Sequence, residues 1–399
     1  GTLIFRKNSS STVVDITDAG GDAPGNEKYR RIENLTIIGA EGAIVDGFDF
    51  QVGWISGSGA SYIDINNLTV ESVTFSGKQT VFNFEGSKGS ALGIDGLNIV
   101  GCKMTDADNN NRFVFQQISG YKELSDKTTG EYVMTAGVKN LTILGCEVIG
   151  AYQVIESRAM ENLVITNNTF KGIIARDMLI TSDVTNHPDK TYTGNITITG
   201  NTSVSGEERF VRASLNNSDA VVEIKNNTII DYRGADADYI KVTGSNDETN
   251  LVTIENNQRG YYVTPETLSS TNFNDGGIFY LKGDFSEVLS INITPTEGVV
   301  ATIDASEAEF GDIIKLMIPS QPDNNNVISR ELGRKGNYTF NGFKGTTVGL
   351  GAYGTNVTIT NSELDAIDVY AANISLDINN NKIDSEYKMH PRVAGGETD

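Results

Sequence analysis

Two histidines and two cysteines are all that 399 residues offer of the side chains that most readily relay protons or hold transition metals. His187 and His390 each precede a proline in loop-like sequence, which disfavours a placed base or a metal ligand at either. Cations are scarce as well: 31 Lys and Arg stand against 52 Asp and Glu, a net charge of −21. So acidic a chain lacks the positive field that phosphate backbones need, so a nucleic-acid partner is disfavoured, as is an anionic membrane surface. No apolar run approaches about 18 residues, so no segment is read as crossing a bilayer. No apolar i, i+3, i+4 pattern is sustained either, which removes the helical repeat architectures. The chain opens Gly1-Thr2-Leu3-Ile4 without initiator Met or signal peptide. The expectation is an extracellular or cell-surface protein whose export signal has been trimmed away.

What the chain has instead is a repeat. Leu35-Thr36-Ile37-Ile38-Gly39 returns as Leu68-Thr69-Val70, Leu97-Asn98-Ile99, Leu141-Thr142-Ile143, Leu163-Val164-Ile165, Ile196-Thr197-Ile198, Val222-Glu223-Ile224, Val252-Thr253-Ile254, Val357-Thr358-Ile359 and Leu376-Asp377-Ile378. The first and third positions are always Leu, Ile or Val. Side chains alternate faces in a strand, so these two enter a core while Thr, Glu and Asp meet water. The fifth position is Gly or Asn in most copies, the residues that take left-handed backbone most easily. The residue after it reads Cys102, Cys146, Asn168, Asn201, Asn227, Asn257, Ser362 and Asn381. Stacked coil on coil, such residues form an asparagine ladder at about 4.8 Å spacing. The fold class is therefore all-β, a right-handed parallel β-helix (β-solenoid). Both cysteines occupy rungs of neighbouring copies, with thiol and disulfide left open. The Asn-x-Thr triplets, such as Asn34-Leu35-Thr36, read as a corner Asn before an outward Thr rather than as glycan acceptors.

Residues 1–31 read as an N-terminal cap, 32–257 as regular coils, 258–350 as irregular coils or a small β-subdomain, 351–383 as final coils and 384–399 as a tail. Within 258–350, Val299–Ile303 and Asp312–Ile318 still look like strands. Long insertions at 106–137, 171–194 and 230–250 should emerge on one side, where repeat proteins often bind.

A second strand recurs in each coil: Val81-Phe82-Asn83-Phe84, Phe113-Val114-Phe115-Gln116, Gln153-Val154-Ile155-Glu156, Asp177-Met178-Leu179-Ile180, Arg209-Phe210-Val211-Arg212 and Asp238-Tyr239-Ile240-Lys241. Superposed, they put Phe84, Gln116, Glu156, Ile180, Arg212 and Lys241 in one solvent-facing column, with Phe82, Phe210 and Tyr239 beside it and Arg158 on the face of Glu156. Aromatics, cations and a carboxylate on a rigid sheet suit an extended acidic sugar chain. Phe82, Gln116, Phe210 and Tyr239 are the candidate substrate-binding residues. Glu156, Arg158, Arg212 and Lys241 are the candidate catalytic ones. A lyase would neutralise the uronate with Arg212 or Arg158 and take the α-proton with Lys241 or Arg212. A hydrolase would pair Glu156 with Asp177 or Asp238. No metal or cofactor site is read from spacing. Asp106–Asn111 and Asp236-Ala237-Asp238 could offer oxygens to Ca²⁺, yet neither has EF-hand or β-roll spacing. Trp54 could stack on sugar, although packing against a cap is the plainer reading.

The recurrent Asn-Leu-Thr-Ile and Asn-Asn-Thr-Phe strings, as in Glu161–Phe170, resemble the pectin-lyase-like superfamily of right-handed β-helices across about 32–257 and 355–383. Glu208–Thr228 also resembles exported β-helix proteins of gut Bacteroidetes without assigned chemistry. The superfamily resemblance implies pectate lyases, polygalacturonases and chondroitinase- or alginate-lyase-like enzymes as possible relatives. The paired Asp-Asp, Gly-His-Gly and Arg-Ile-Lys of polygalacturonases are absent here, as is the Arg-x-Pro-x-x-Arg of pectate lyases. Ser157-Arg158 and Arg209 echo the chondroitinase motifs loosely. The expectation is an exported or cell-surface, non-catalytic β-helix that binds polysaccharide, the alternatives being a lyase or glycoside hydrolase of acidic glycans and a structural or adhesion protein.

Overall fold

A computed structural model describes residues 2–5, 28–46, 48–49, 61–85, 90–105, 110–117, 137–158, 161–181, 193–215, 220–232, 239–244, 252–318, 335–372 and 374–391. The chain divides into two compact units, Gly1–Asn257 and Gln258–Asp399. It is a right-handed parallel β-helix, and every described strand pairing in it is parallel.

In the first unit each coil visits three sheets in turn. One coil runs Gly137–Leu144, Glu147–Ile149 and Gln153–Arg158. Among the described residues the first sheet has nine strands, from Thr2–Phe5 through Lys28–Gly39 to Val252–Glu255. The third has seven, from Phe48–Asp49 to Ile240–Thr243. The first eight copies of the sequence repeat stack in the register read from sequence: Leu35, Leu68, Leu97, Leu141, Leu163, Ile196, Val222 and Val252 form one column. The third-position residues form the next inward column, and Val70, Ile99, Ile143, Ile165, Ile198 and Ile224 are fully buried. Each such side chain contributes about 1.5–3 kcal/mol by leaving water. Phe75, Phe82 and Phe113 close the core between sheets, edge to face with centroids 5.5–6.4 Å apart.

Left-handed residues mark the bends. Asn34, Asn67, Gly96, Asn140 and Asn162 sit just before the repeat with φ of 54–82°. Their amides also bond from coil to coil, Asn67 Nδ2 to Asn34 Oδ1 at 2.9 Å and Asn162 Nδ2 to Asn140 Oδ1 at 2.7 Å. This outer asparagine column accounts structurally for the Asn-x-Thr triplets. Ser72, Gly101, Gly145, Asn167, Gly200, Asn226 and Asn256 make the left-handed corner after the strand.

The inner ladder follows that corner. Asn168 Nδ2 donates to Asn201 Oδ1 at 2.9 Å, Asn201 Nδ2 to Asn227 Oδ1 at 2.9 Å, and Asn227 Nδ2 to Asn257 Oδ1 at 2.8 Å. Each amide also reaches back to a strand carbonyl, Asn168 to Ile143 and Asn201 to Ile165. Cys102 and Cys146 are buried free thiols that repeat this backward bond, Cys102 Sγ to Val70 O and Cys146 Sγ to Ile99 O, both at 3.5 Å. A thiol thus stands where the later rungs have an amide. Its bond to Cys102, with burial, pushes the Cys146 thiol well above the ordinary thiol range, so little nucleophilic thiolate forms there.

The second unit has two sheets per coil. Asn337–Asn341 with Thr347–Tyr353, Asn356–Thr360 with Glu363–Ala372, and Ser375–Asn379 with Lys382–Pro391 are successive coils. Dropping the third sheet shortens the coil, and bonds from Asn380 to Asn361 and from Ser362 N to Asn381 Oδ1 each span 19 residues. The strands expected within 258–350 are Val300–Phe310 and Ile313–Ile318. The stretch from Asp384, which carries no core pattern in sequence, continues as a strand to Pro391 in register with Glu363–Ala372.

Candidate functional site

The outer face of the third sheet of the first unit holds the side chains with most chemical potential. Its register runs Asn83, Phe115, Glu156, Leu179, Arg212, Lys241 in one outward column. Glu156, Arg212 and Lys241 stand where the sequence puts them. Phe84, Gln116 and Ile180 do not: they are 7%, 1% and 0% exposed, one residue further along and on the inner face. Phe82 and Phe210, expected as stacking platforms, are 0% exposed and belong to the core. Tyr239 is half-buried and packs against the same core. Among the described residues, the aromatics against Arg112 on the outer face are Phe115 and Tyr152, neither of which the repeat alignment singled out.

The reason is the geometry of the strand entrance. Val81-Phe82, Phe113-Val114, Val154-Ile155, Asp177-Met178 and Phe210-Val211 are pairs of adjacent buried residues. The chain turns inward where it enters this sheet, so strict alternation fails there, and a slip of one residue exchanges the faces.

A further register position, three residues before that outward column, aligns Arg112 with the buried Gln153 and Arg176 with Arg209. Arg112 is the most constrained side chain of the site. Its Nε donates to Glu156 Oε2 at 2.6 Å and to Gln153 Oε1 at 3.1 Å. Its guanidinium lies 4.9 Å from the Phe115 ring and 5.0 Å from the Tyr152 ring, an arrangement worth about 0.5–2 kcal/mol per ring. Arg176 Nη2 pairs with Glu208 at 3.0 Å. Arg212 and Lys241 are exposed and make no ion pair among the described residues. Arg209 begins the strand that carries Arg212.

The carboxylate pair considered for hydrolysis is split by the sheet. Glu156 points outward and is held by Arg112. Asp177 is 0% exposed and points inward, accepting Ser203 Oγ at 2.5 Å and Tyr232 Oη at 3.0 Å. Burial, offset in part by those two bonds, raises its carboxyl to about 7. Two carboxylates on opposite faces cannot flank one glycosidic bond. Arg158 ends the Gln153–Arg158 strand opposite Thr181, and its side chain lies outside the described residues. So do Asp238, Trp54, His187, most of the three insertions and both candidate Ca²⁺ loops, apart from Asn110 and Asn111. His390 aligns with Tyr370 on the last strand. Among the described residues no group of three His, Cys, Asp or Glu side chains could hold a metal, and no helix is long and apolar enough to cross a membrane.

No protein-family model, no curated protein and no solved structure matches the chain. What is established is the class, a right-handed parallel β-helix.

Proposed function

We propose that the first unit binds an extended, acidic polysaccharide on the outer face of its third sheet, outside the cell or at its surface, and does not cleave it. The observation that carries this reading is the gathering of Arg112, Arg176, Arg209, Arg212 and Lys241 on one face of a chain whose net charge is −21. Strands about 4.8 Å apart present these cations at intervals close to the rise of a sugar residue. Arg176 and Arg209 repeat from one coil to the next, as do Arg212 and Lys241. Arg112, fixed by Glu156 and two rings, forms a stiff planar surface on which a sugar face can rest at low entropic cost. The exposed Arg212 and Lys241 take the carboxylates or sulfates of the chain.

The test is isothermal titration against a panel of acidic and neutral polysaccharides. Binding confined to the acidic members is expected, weakening as salt rises. The Arg212→Ala/Lys241→Ala double variant should bind on the order of 10- to 100-fold more weakly, as expected for losing two charge-assisted contacts. Equal affinity of this variant would sink the reading. The adjacency of Arg212 and Lys241 also favours a second reading, β-elimination, with one cation on the uronate and the other removing the α-proton. It requires an ultraviolet-absorbing unsaturated product, and the binding reading requires none.

A further inference from the structure

The outward column of the third sheet changes character along the solenoid. It reads Phe115, Glu156, Leu179, Arg212 and Lys241, each on its own coil. At the Phe115 end the cation is already spent. Arg112 Nε is shared between Glu156 at 2.6 Å and Gln153 at 3.1 Å, and the Phe115 and Tyr152 rings flank its guanidinium. That ion pair carries no net charge, and its two side chains are only 23% and 13% exposed. Leu179, on the next coil, is half-buried, uncharged and outside the core cluster. Arg176 is spent in the same way, on Glu208.

At the other end Arg212 and Lys241 are exposed register partners that form no ion pair among the described residues. Two cations about 4.8 Å apart converge on a single carboxylate or sulfate. Phe115 lies three strand spacings from Arg212, roughly 14 Å. A glycan laid along the column therefore meets one anion-binding pair and then aliphatic, ion-paired and aromatic surface. A carboxylate set over Leu179 or Glu156 gives up water and finds no unpaired cation. An uncharged sugar there rests its C–H face on Leu179 and Phe115 without that cost.

We infer that the ligand is an acidic polysaccharide whose charged sugars are separated by uncharged ones, with Glu156 and Leu179 as the residues that select this spacing. The inference rests on the binding reading above and narrows it from acidic glycans at large to sparsely charged ones. Specificity here is a difference between two acidic chains, built by withholding a cation where the wrong chain brings a charge.

The experiment is titration of the full chain with polygalacturonate and with alginate, which bear a carboxylate on every sugar. Each is compared with the same polymer after about half of its carboxyls have been esterified, which keeps backbone and linkage constant. The half-esterified forms should bind on the order of 3- to 10-fold more tightly. Leu179→Lys supplies the withheld cation and should reverse that order by strengthening binding of the unesterified chains. Glu156→Gln, which releases Arg112, should shift it in the same direction. A gain of binding cannot come from a misfolded sheet. Tighter binding of the unesterified chains by the unaltered protein, lost in Arg212→Ala/Lys241→Ala, overturns this inference while the binding reading stands. Binding that the double variant leaves intact, or no binding of either polymer in either form, overturns both.

Discussion

Asn201→Ala is expected to destabilise the first unit by about 3–5 kcal/mol, more than any outer-face substitution in the same coil. Asn201 is 1% exposed and completes four bonds. It accepts from Asn168 N at 3.0 Å and Asn168 Nδ2 at 2.9 Å, and donates to Ile165 O and Asn227 Oδ1 at 2.9 Å each. Truncation leaves the buried Asn168 N–H without its acceptor, at about 1–3 kcal/mol, takes one bond each from Asn168 Nδ2, Asn227 Oδ1 and Ile165 O, and opens a small cavity. Asn201→Ser and Asn201→Cys should cost less, because Ser362 and Cys146 fill rungs elsewhere in this chain. A solenoid couples mainly nearest neighbours, so the damage should be local. Amide exchange should accelerate in Glu161–Thr166 and Val221–Lys225 before it does in Ser61–Glu71. Urea denaturation followed by circular dichroism gives the magnitude. Equal stability of the Ala and Ser variants would mean that the ladder adds nothing beyond filling space.

That ladder was legible in the sequence because its causes are local. Positions one and three had to be aliphatic, the fifth had to tolerate positive φ, and the next had to bond to its own kind, so three constraints recurred at fixed offsets and aligned the coils by themselves. The outer face of the third sheet had no such anchor. Its copies begin with two adjacent buried residues, and an alignment assuming alternation placed Glu156, Arg212 and Lys241 on the correct face while turning Phe84, Gln116 and Ile180 outward. One signal could have fixed the register: Arg112, Arg176 and Arg209 each stand immediately before a buried pair, and aligning the arginines aligns the strands. The partners of Arg112 could not be read at all. Tyr152 lies 40 residues away in sequence and reaches Arg112 only because one coil stacks on the next. Between 258 and 350 the strands continue without the ladder motif, which returns at Ser362 and Asn381 in coils of the same two-sheet kind.

Buried Asp177 should make the stability of the first unit fall as pH rises from 4 to 8, and Asp177→Asn should abolish that fall. The carboxyl ionises near 3.8 in an unfolded chain and near 7 in the folded one, chiefly because burial opposes the charge. Below about pH 4 both states hold the proton and the folded state bears no penalty. Between 4 and 7 the unfolded chain releases a proton that the folded one keeps, so stability declines. Above 7 the loss is complete, on the order of 4 kcal/mol from the displacement of the carboxyl. Asn keeps an acceptor for Tyr232 and offers Ser203 a donor without ever ionising. Denaturation midpoints of the two proteins should therefore converge near pH 4 and separate steadily toward pH 8, the variant being the more stable. Tyr232→Phe removes a bond that favours the carboxylate, so it should move the midpoint of the decline to higher pH. Parallel curves for wild type and Asp177→Asn would show that the carboxylate is accommodated at no cost, with Ser203 and Tyr232 fully compensating its burial.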